Sequence, residues 1–198
     1  MGSGKNWWHN LLRTARRSVA FCSATLKLVF HLTPFGSPCG IEQPMSDETH
    51  LWHLLKHDLD YITYDRELHD WVPAPNKQTL NFDADTNEMS AKWREHLDGH
   101  GWTPADVLDA AKTDYALVFE APTVTVRGIL ADGQYLEVRH TPTGSKPDAC
   151  AHSSVYWPAS LSDADKSRTA KDKRRNVRVA LGREFRRFYG EIAFPPPP

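Results

Sequence analysis

Four segments that are predicted to be β-strands follow one another between residues 115 and 157, and they limit the folds open to this chain more than any other feature. They are Tyr115–Glu120, Thr123–Leu130, Gln134–His140 and Cys150–Trp157. The Asp132-Gly133 dipeptide between the second and the third is typical of a hairpin turn. Because short connections favour antiparallel pairing, we predict a small antiparallel sheet of about four strands.

Helical patterns lie on both sides of these segments. An acidic first turn after Ser46 predicts a helix that runs to about Asp60. Two short helices are expected at Ser90–Gly99 and after Thr103-Pro104-Ala105-Asp106, a sequence suited to a helix N-terminus. A long basic helix is predicted from about Ala164 to Tyr189, with an apolar stripe along one side. This order predicts an α+β fold with helices packed on one face of the sheet.

Charge is distributed unevenly along the chain. Residues 1–41 contain five basic and no acidic residues, residues 42–165 contain nine basic and 22 acidic residues, and residues 166–198 contain ten basic and three acidic residues. The net charge of −1 therefore conceals an acidic middle between two basic ends. Such segregation indicates macromolecular partners or docking within the molecule rather than a reaction.

Composition divides the chain into three parts. Residues 1–44 are basic and end in a segment rich in Pro and Gly, which predicts a loosely attached extension. Their amphipathic, acid-free pattern leaves open a targeting or membrane-surface role, although the apolar part is too short and too polar to span a bilayer. Residues 45–194 are expected to form a single α+β domain, and residues 195–198 a polyproline tail.

The cysteines and the first histidines predict no cofactor. Cys22, Cys39 and Cys150 are too few and too scattered for a disulfide framework or a zinc knuckle, so a reducing, cytoplasmic setting is the default expectation. Three histidines share the polar face of the predicted first helix and are weak candidates for metal ligands, with a solvated face as the simpler interpretation. They are His50, His53 and His57.

A second cluster with chemical potential lies around the last predicted strand. Cys150 and His152 alternate onto one face of an extended chain. Because residues two apart on a strand are about 7 Å apart, a nucleophile on this strand needs a base from a neighbouring strand, and His140 is the candidate. His140, Cys150 and His152 are therefore the predicted catalytic residues. The alternative is a packed Cys150 beside a surface His152.

The long basic helix offers a binding surface. Lys171, Arg174, Arg175 and Arg178 precede the most apolar part of its stripe, and we predict that they form an exposed basic strip. The acidic middle of the chain also offers an internal partner for the same helix.

Two classes of function are consistent with these patterns. The favoured one is a macromolecule-binding module that uses an acidic body and the basic helix, with a protein as the preferred partner and nucleic acid as the second choice. The alternative is a small hydrolase or phosphoesterase-like enzyme with a His/Cys site on the sheet. Convergence of the catalytic candidates beside a pocket distinguishes the two classes.

Overall fold

A six-stranded antiparallel sheet forms the main layer of the protein. The computed structural model describes residues 40–56, 58–111, 114–190, 194, 196 and 197. The strands are β1 (His50–Lys56), β2 (Ile62–Asp65), β3 (Asp70–Pro73), β4 (Glu88–Trp93), β5 (Tyr115–Pro122), β6 (Leu130–Ala131), β7 (Gln134–Tyr135), β8 (Glu137–His140), β9 (His152–Tyr156) and β10 (Arg186–Tyr189). The main sheet has the order β10-β5-β1-β4-β9-β8, and β2–β3 and β6–β7 form two separate hairpins. The α+β class is confirmed, whereas the predicted number of about four strands is too low.

The helices are short except for the last. They are α1 (Arg94–Gly99), α2 (Pro104–Ala110), α3 (Thr123–Arg127), α4 (Pro147–Cys150) and α5 (Arg168–Glu184). The predicted start of α2 is confirmed, because Thr103 and Asp106 form a reciprocal capping box. Helix α5 begins at a Ser167 cap and ends before Phe185, so it is shorter than the predicted span. No helix within the described residues is long and apolar enough to cross a membrane.

The helix predicted from Ser46 to Asp60 is wrong, because His50–Lys56 is strand β1. Leu51 and Leu55 are four residues apart, which fits the apolar stripe of a helix. The same spacing is two repeats of a strand, in which residues 51, 53 and 55 share one face. The whole length of β1 pairs with β5, and this ladder satisfies the backbone groups that a helix would have satisfied internally.

The opposite error occurs after β5. Thr123–Leu130 was expected to be a strand, but its first five residues form helix α3. The Thr123 amide donates to the carbonyl of Thr49, and the two buried threonine hydroxyls are 2.9 Å apart. These contacts turn the chain away from the sheet. The Asp132-Gly133 hairpin turn is confirmed between β6 and β7, with both residues at positive φ.

Both faces of the sheet carry helices, which corrects the prediction of a single covered face. On one face, α5 inserts Val177 and Leu181 into the main core against strand residues such as Leu117. On the other face, α1 and α2 place Leu97 and Val107 over Trp52 of β1. The second cluster also includes Val118 of β5 and Ala151, which directly precedes β9.

Helix α5 lies unusually close to the β2–β3 hairpin at one glycine. A Cβ atom on Gly182 would be only 2.8 Å from the carbonyl oxygen of Pro73. Because real Cβ atoms do not approach backbone oxygen so closely, glycine is the residue that permits this contact. Arg183 in the next position binds the same hairpin through Asp65 at 2.7 Å.

Candidate functional site

A cleft opens in the sheet where β1 and β4 separate. These strands pair only at Leu51↔Trp93 and Trp52↔Lys92, although each strand continues beyond that point. His53 bridges the gap, with Nε2 at 2.8 Å from the carbonyl oxygen of Thr79 and Nδ1 at 3.3 Å from that of Ser90. Burial lowers the pKa of His53, so the ring is neutral, and its single N–H is assigned to the shorter contact. The cleft has a volume of about 650 Å³.

A row of polar side chains lies on the face of β4 and β9 beside this cleft. The register pairs Ser90 with Ser154 and Lys92 with His152, and residues directly opposite in an antiparallel pair point to the same face. Ser90 and Lys92 also line the cleft. The pairing of the two strands therefore brings a hydroxyl, an ammonium and an imidazole together from segments about 60 residues apart in the sequence.

Ser90 and His152 form a hydrogen-bonded pair. The Ser90 Oγ is 2.8 Å from His152 Nε2, and His152 Nδ1 is 2.8 Å from the carbonyl oxygen of Thr141. Because a carbonyl oxygen only accepts, the proton of the neutral ring resides on Nδ1 and leaves Nε2 free to accept from the serine. The exposed serine is thus held against the basic nitrogen of a half-buried histidine.

The electrostatics keep His152 in its neutral form. Burial lowers the pKa of His152, and the nearby Lys92 and His140 lower it further, while the Thr141 carbonyl and Glu88 oppose the shift. The ring is therefore neutral at pH 7 and able to accept a proton. A histidine in that state is the form that a general base requires.

Lys92 and Asp148 also line the cleft. The Lys92 Nζ donates to the carbonyl oxygen of Asp148 at 2.7 Å, and burial lowers the pKa of Lys92 while the Asp148 carboxylate opposes that shift. The Oδ1 atom of Asp148 is buried and accepts no hydrogen bond within the described part of the chain. A buried acceptor of this kind is suited to a hydrogen-bond donor that enters the cleft.

The three predicted catalytic residues do not form a nucleophile–base pair. His140 accepts from the Gln43 amide at Nδ1 and donates from Nε2 to the carbonyl oxygen of Cys150, so it bridges backbone groups. Cys150 is disulfide-bonded and lies in α4, not on the strand, so in this form it has no thiolate for nucleophilic attack. His152 instead contacts Ser90 and Thr141.

The sequence did not point to Ser90 as a functional residue. The sequence pattern predicts Ser90 as the cap of a short helix, whereas Glu88–Trp93 is strand β4 and the helix starts at Arg94. The alternation of Ser90 and Lys92 with buried Met89 and Ala91 is the signal that could have identified an exposed polar strand face.

The candidate metal ligands on β1 are separated by the strand. His50 binds the Glu95 carboxylate through Nδ1 at 2.7 Å, and His53 is buried in the cleft. Their positions in β1 differ by three, so they point to opposite faces of the sheet. His57 lies outside the described residues.

The predicted basic strip is divided between the interior and the surface. Arg174 and Arg178 are only 3% and 5% exposed, so the expected exposure is wrong for these two residues. Lys171 and Arg175 are exposed, as predicted. The Arg174 guanidinium contacts Asp163 and two backbone carbonyls, so α5 docks internally on the acidic part of the chain.

Comparisons with known proteins leave this site to be interpreted from its own geometry. The chain matches no protein-family model, no curated protein and no solved structure.

Proposed function

We propose that this protein is a hydrolase that cleaves small esters, with Ser90 as the nucleophile and His152 as the general base. The observation that carries this proposal is the chain of two 2.8 Å contacts from Ser90 through His152 to the Thr141 carbonyl, at the edge of a cleft. A nucleophile, a base and a group that orients the base are the three parts of this type of site.

The reaction follows from the tautomer of His152. Its Nε2 atom takes the proton from Ser90 Oγ as that oxygen attacks the ester carbonyl carbon, and the resulting imidazolium keeps its Nδ1–H bond to Thr141. The same nitrogen then protonates the departing alcohol, which leaves an acyl group on Ser90. Water, deprotonated by His152, attacks this acyl group and releases the acid with regeneration of the serine.

The cleft supports a preference for anionic substrates. Lys92 lines the cleft directly opposite His152 in the β4–β9 register, so it supplies positive charge beside the reacting groups. A cation at this position attracts a negatively charged substituent and stabilises negative charge that develops during attack. The substrate class is therefore a small ester that carries a carboxylate or a phosphate.

Covalent labelling tests this function directly. A fluorophosphonate probe phosphonylates an activated serine, and mass spectrometry of the digested protein identifies the labelled residue. We expect labelling at Ser90, its loss in Ser90→Ala, and a reduction of at least about 100-fold in rate in His152→Gln. Ser145→Ala removes another exposed serine and serves as the matched control. Equal labelling of wild type and His152→Gln would contradict the proposal.

The outer face of α5 favours a second candidate function, the binding of an acidic protein surface. Arg168, Lys171 and Arg175 are exposed and lie at helical positions i, i+3 and i+7, so they form one basic strip. This strip replaces the wider one that the sequence predicted. The strip lies beside the buried Arg174 on the helix surface, and its exposed side chains are accessible to a partner.

A charge reversal tests the binding function without touching the core. The Lys171→Glu/Arg175→Glu variant should lose partners that wild type captures in a pull-down, as identified by mass spectrometry, while its unfolding curve stays unchanged. Nuclease treatment separates protein partners from bridging nucleic acid. Capture of the same partners by the charge-reversed variant would refute this function.

A further inference from the structure

A cluster of two histidines and one cysteine lies at the end of the sheet and uses none of the residues of the Ser90–His152 pair. His96 Nε2 is 3.1 Å from Cys150 Sγ, and the ligand atoms of His96, His100 and Cys150 all lie within 4.8 Å of one another. His96 and Cys150 are each 1% exposed, whereas His100 is at the surface. The cluster is therefore buried on one side and accessible on the other.

Three local structures bring these side chains together. His96 lies in α1 and His100 follows its last residue, and this four-residue spacing places both imidazoles on the same side of the helix. Cys150 is the last residue of α4, and its backbone carbonyl oxygen accepts a hydrogen bond from His140 Nε2. His140 thus positions the cysteine from the adjacent strand β8 without offering a free ring nitrogen of its own.

Imidazole nitrogen and thiolate sulfur are preferred ligands of zinc. Zinc binds nitrogen at about 2.0 Å and sulfur at about 2.3 Å, which in tetrahedral geometry places ligand atoms roughly 3.3–3.5 Å apart. Ligand atoms that lie up to 4.8 Å apart must therefore approach by at most about 1.5 Å to share an ion. The exposed His100 is the side chain best able to make this movement. Burial, together with His100 and His140, lowers the pKa of His96 to about 4, so its ring is neutral, as a ligand must be.

The oxidation state of Cys150 controls whether the third ligand exists. Cys150 is disulfide-bonded, and a disulfide sulfur is a poor ligand compared with a thiolate. We propose that reduction of this disulfide converts the cluster into a zinc site, with His96, His100 and the Cys150 thiolate as protein ligands and water in the fourth position. A dithiol supplies the two electrons and two protons that break the S–S bond and is itself oxidised to a disulfide. The freed Cys150 thiol then loses its proton as zinc binds.

Cobalt titration of the full chain tests this site, because Co²⁺ occupies zinc sites and shows a sulfur-to-metal absorption band when a thiolate is bound. After reduction with a dithiol and removal of the dithiol, the protein should bind one Co²⁺ and show this absorption band. Addition of Zn²⁺ should then displace the cobalt and abolish the band. The oxidised protein should show no band. His96→Asn and His100→Asn should each weaken binding of reduced protein by at least about tenfold.

Two cysteine variants separate Cys150 from the other thiols of the chain. In Cys22→Ser/Cys39→Ser, Cys150 is the only remaining cysteine, so this variant should bind cobalt without prior reduction. Adding Cys150→Ser should abolish the band, whereas His152→Gln should leave it unchanged. Absence of the band from reduced wild type, or its persistence in reduced Cys150→Ser, would overturn the proposal. If the double variant does not fold, as judged by circular dichroism, reduced wild type and its His96→Asn variant decide the question.

Discussion

Replacement of Arg174 by alanine provides the sharpest test of how the basic helix is used. The sequence places Arg174 and Arg175 in one exposed strip, but the structure buries the first and exposes the second. The Arg174 guanidinium donates to the carbonyl oxygens of Ser162 and Asp165 at 2.7 Å each, and its Nε is 3.1 Å from a carboxylate oxygen of Asp163. The two neighbouring arginines therefore have opposite expected effects.

The cost of the substitution follows from the groups that lose their partner. Breaking a buried ion pair by removing one member destabilises a protein by about 3–5 kcal/mol. Asp163 keeps a second partner in Lys77, so the expected loss for Arg174→Ala is at the lower end, about 3 kcal/mol. In a protein of this size such a loss lowers the melting temperature by roughly 6–12 °C. Arg175→Ala should change the free energy of unfolding by less than about 0.5 kcal/mol.

Urea unfolding followed by circular dichroism measures both effects on the same scale. A lower transition midpoint with an unchanged slope shows a loss of stability without a change in the unfolded state. Arg174→Lys should recover little stability, because one ammonium cannot replace a planar fork that contacts three oxygen acceptors. Equal stability of Arg174→Ala and Arg175→Ala would show that Arg174 is not docked as described and would refute the reasoning.

Three further predictions concern close packing and protonation. Gly182→Ala should destabilise the protein by about 1–3 kcal/mol, because the new Cβ meets the Pro73 carbonyl, and an unchanged melting temperature would contradict that contact. The rate of serine labelling should fall at low pH with a midpoint below the ordinary histidine pKa of about 6.5, because burial lowers the pKa of His152. Lys92→Met should move this midpoint to higher pH, and an unshifted profile would exclude that influence. The free energy of unfolding of the oxidised protein should decrease as pH falls from about 6.5 to about 4. The reason is that His96 binds a proton more weakly in the folded state than in the unfolded state. His96→Asn should flatten this pH dependence when the free energy is measured by urea titration at each pH.

Local signals predicted several elements correctly. The capping box of α2 depends on Thr103 and Asp106, which are three residues apart, and the β6–β7 turn depends on the adjacent Asp132 and Gly133. Each of these structures is stabilised mainly by contacts within a few residues, so its pattern is visible in the sequence. The apolar run at Tyr115 is long and continuous enough to identify β5 for the same reason.

Patterns that fit two periods were decided by pairing with distant strands. Leu51 and Leu55 suit a helix or a strand, and the ladder with β5 selects the strand. Arg186–Tyr189 was predicted to extend the last helix, but it pairs with β5 as the edge strand β10. In both cases the hydrogen-bonded partners lie more than 60 residues away in the sequence, so a local sequence pattern cannot reveal the pairing.

The candidate sites depend even more on tertiary structure. Sequence alone identified His152 and Cys150 as chemically interesting, because side-chain type is a local property. Only the β4–β9 register brings Ser90 to His152, and only the docking of α1 against α4 brings His96 to the Cys150 sulfur. Likewise, the positive charge of the last helix is evident from its sequence, but the burial of Arg174 depends on where Asp163 and its neighbouring carbonyls lie. Residue chemistry is set by the sequence, whereas distance between residues far apart in the chain is set by the packing of the whole fold.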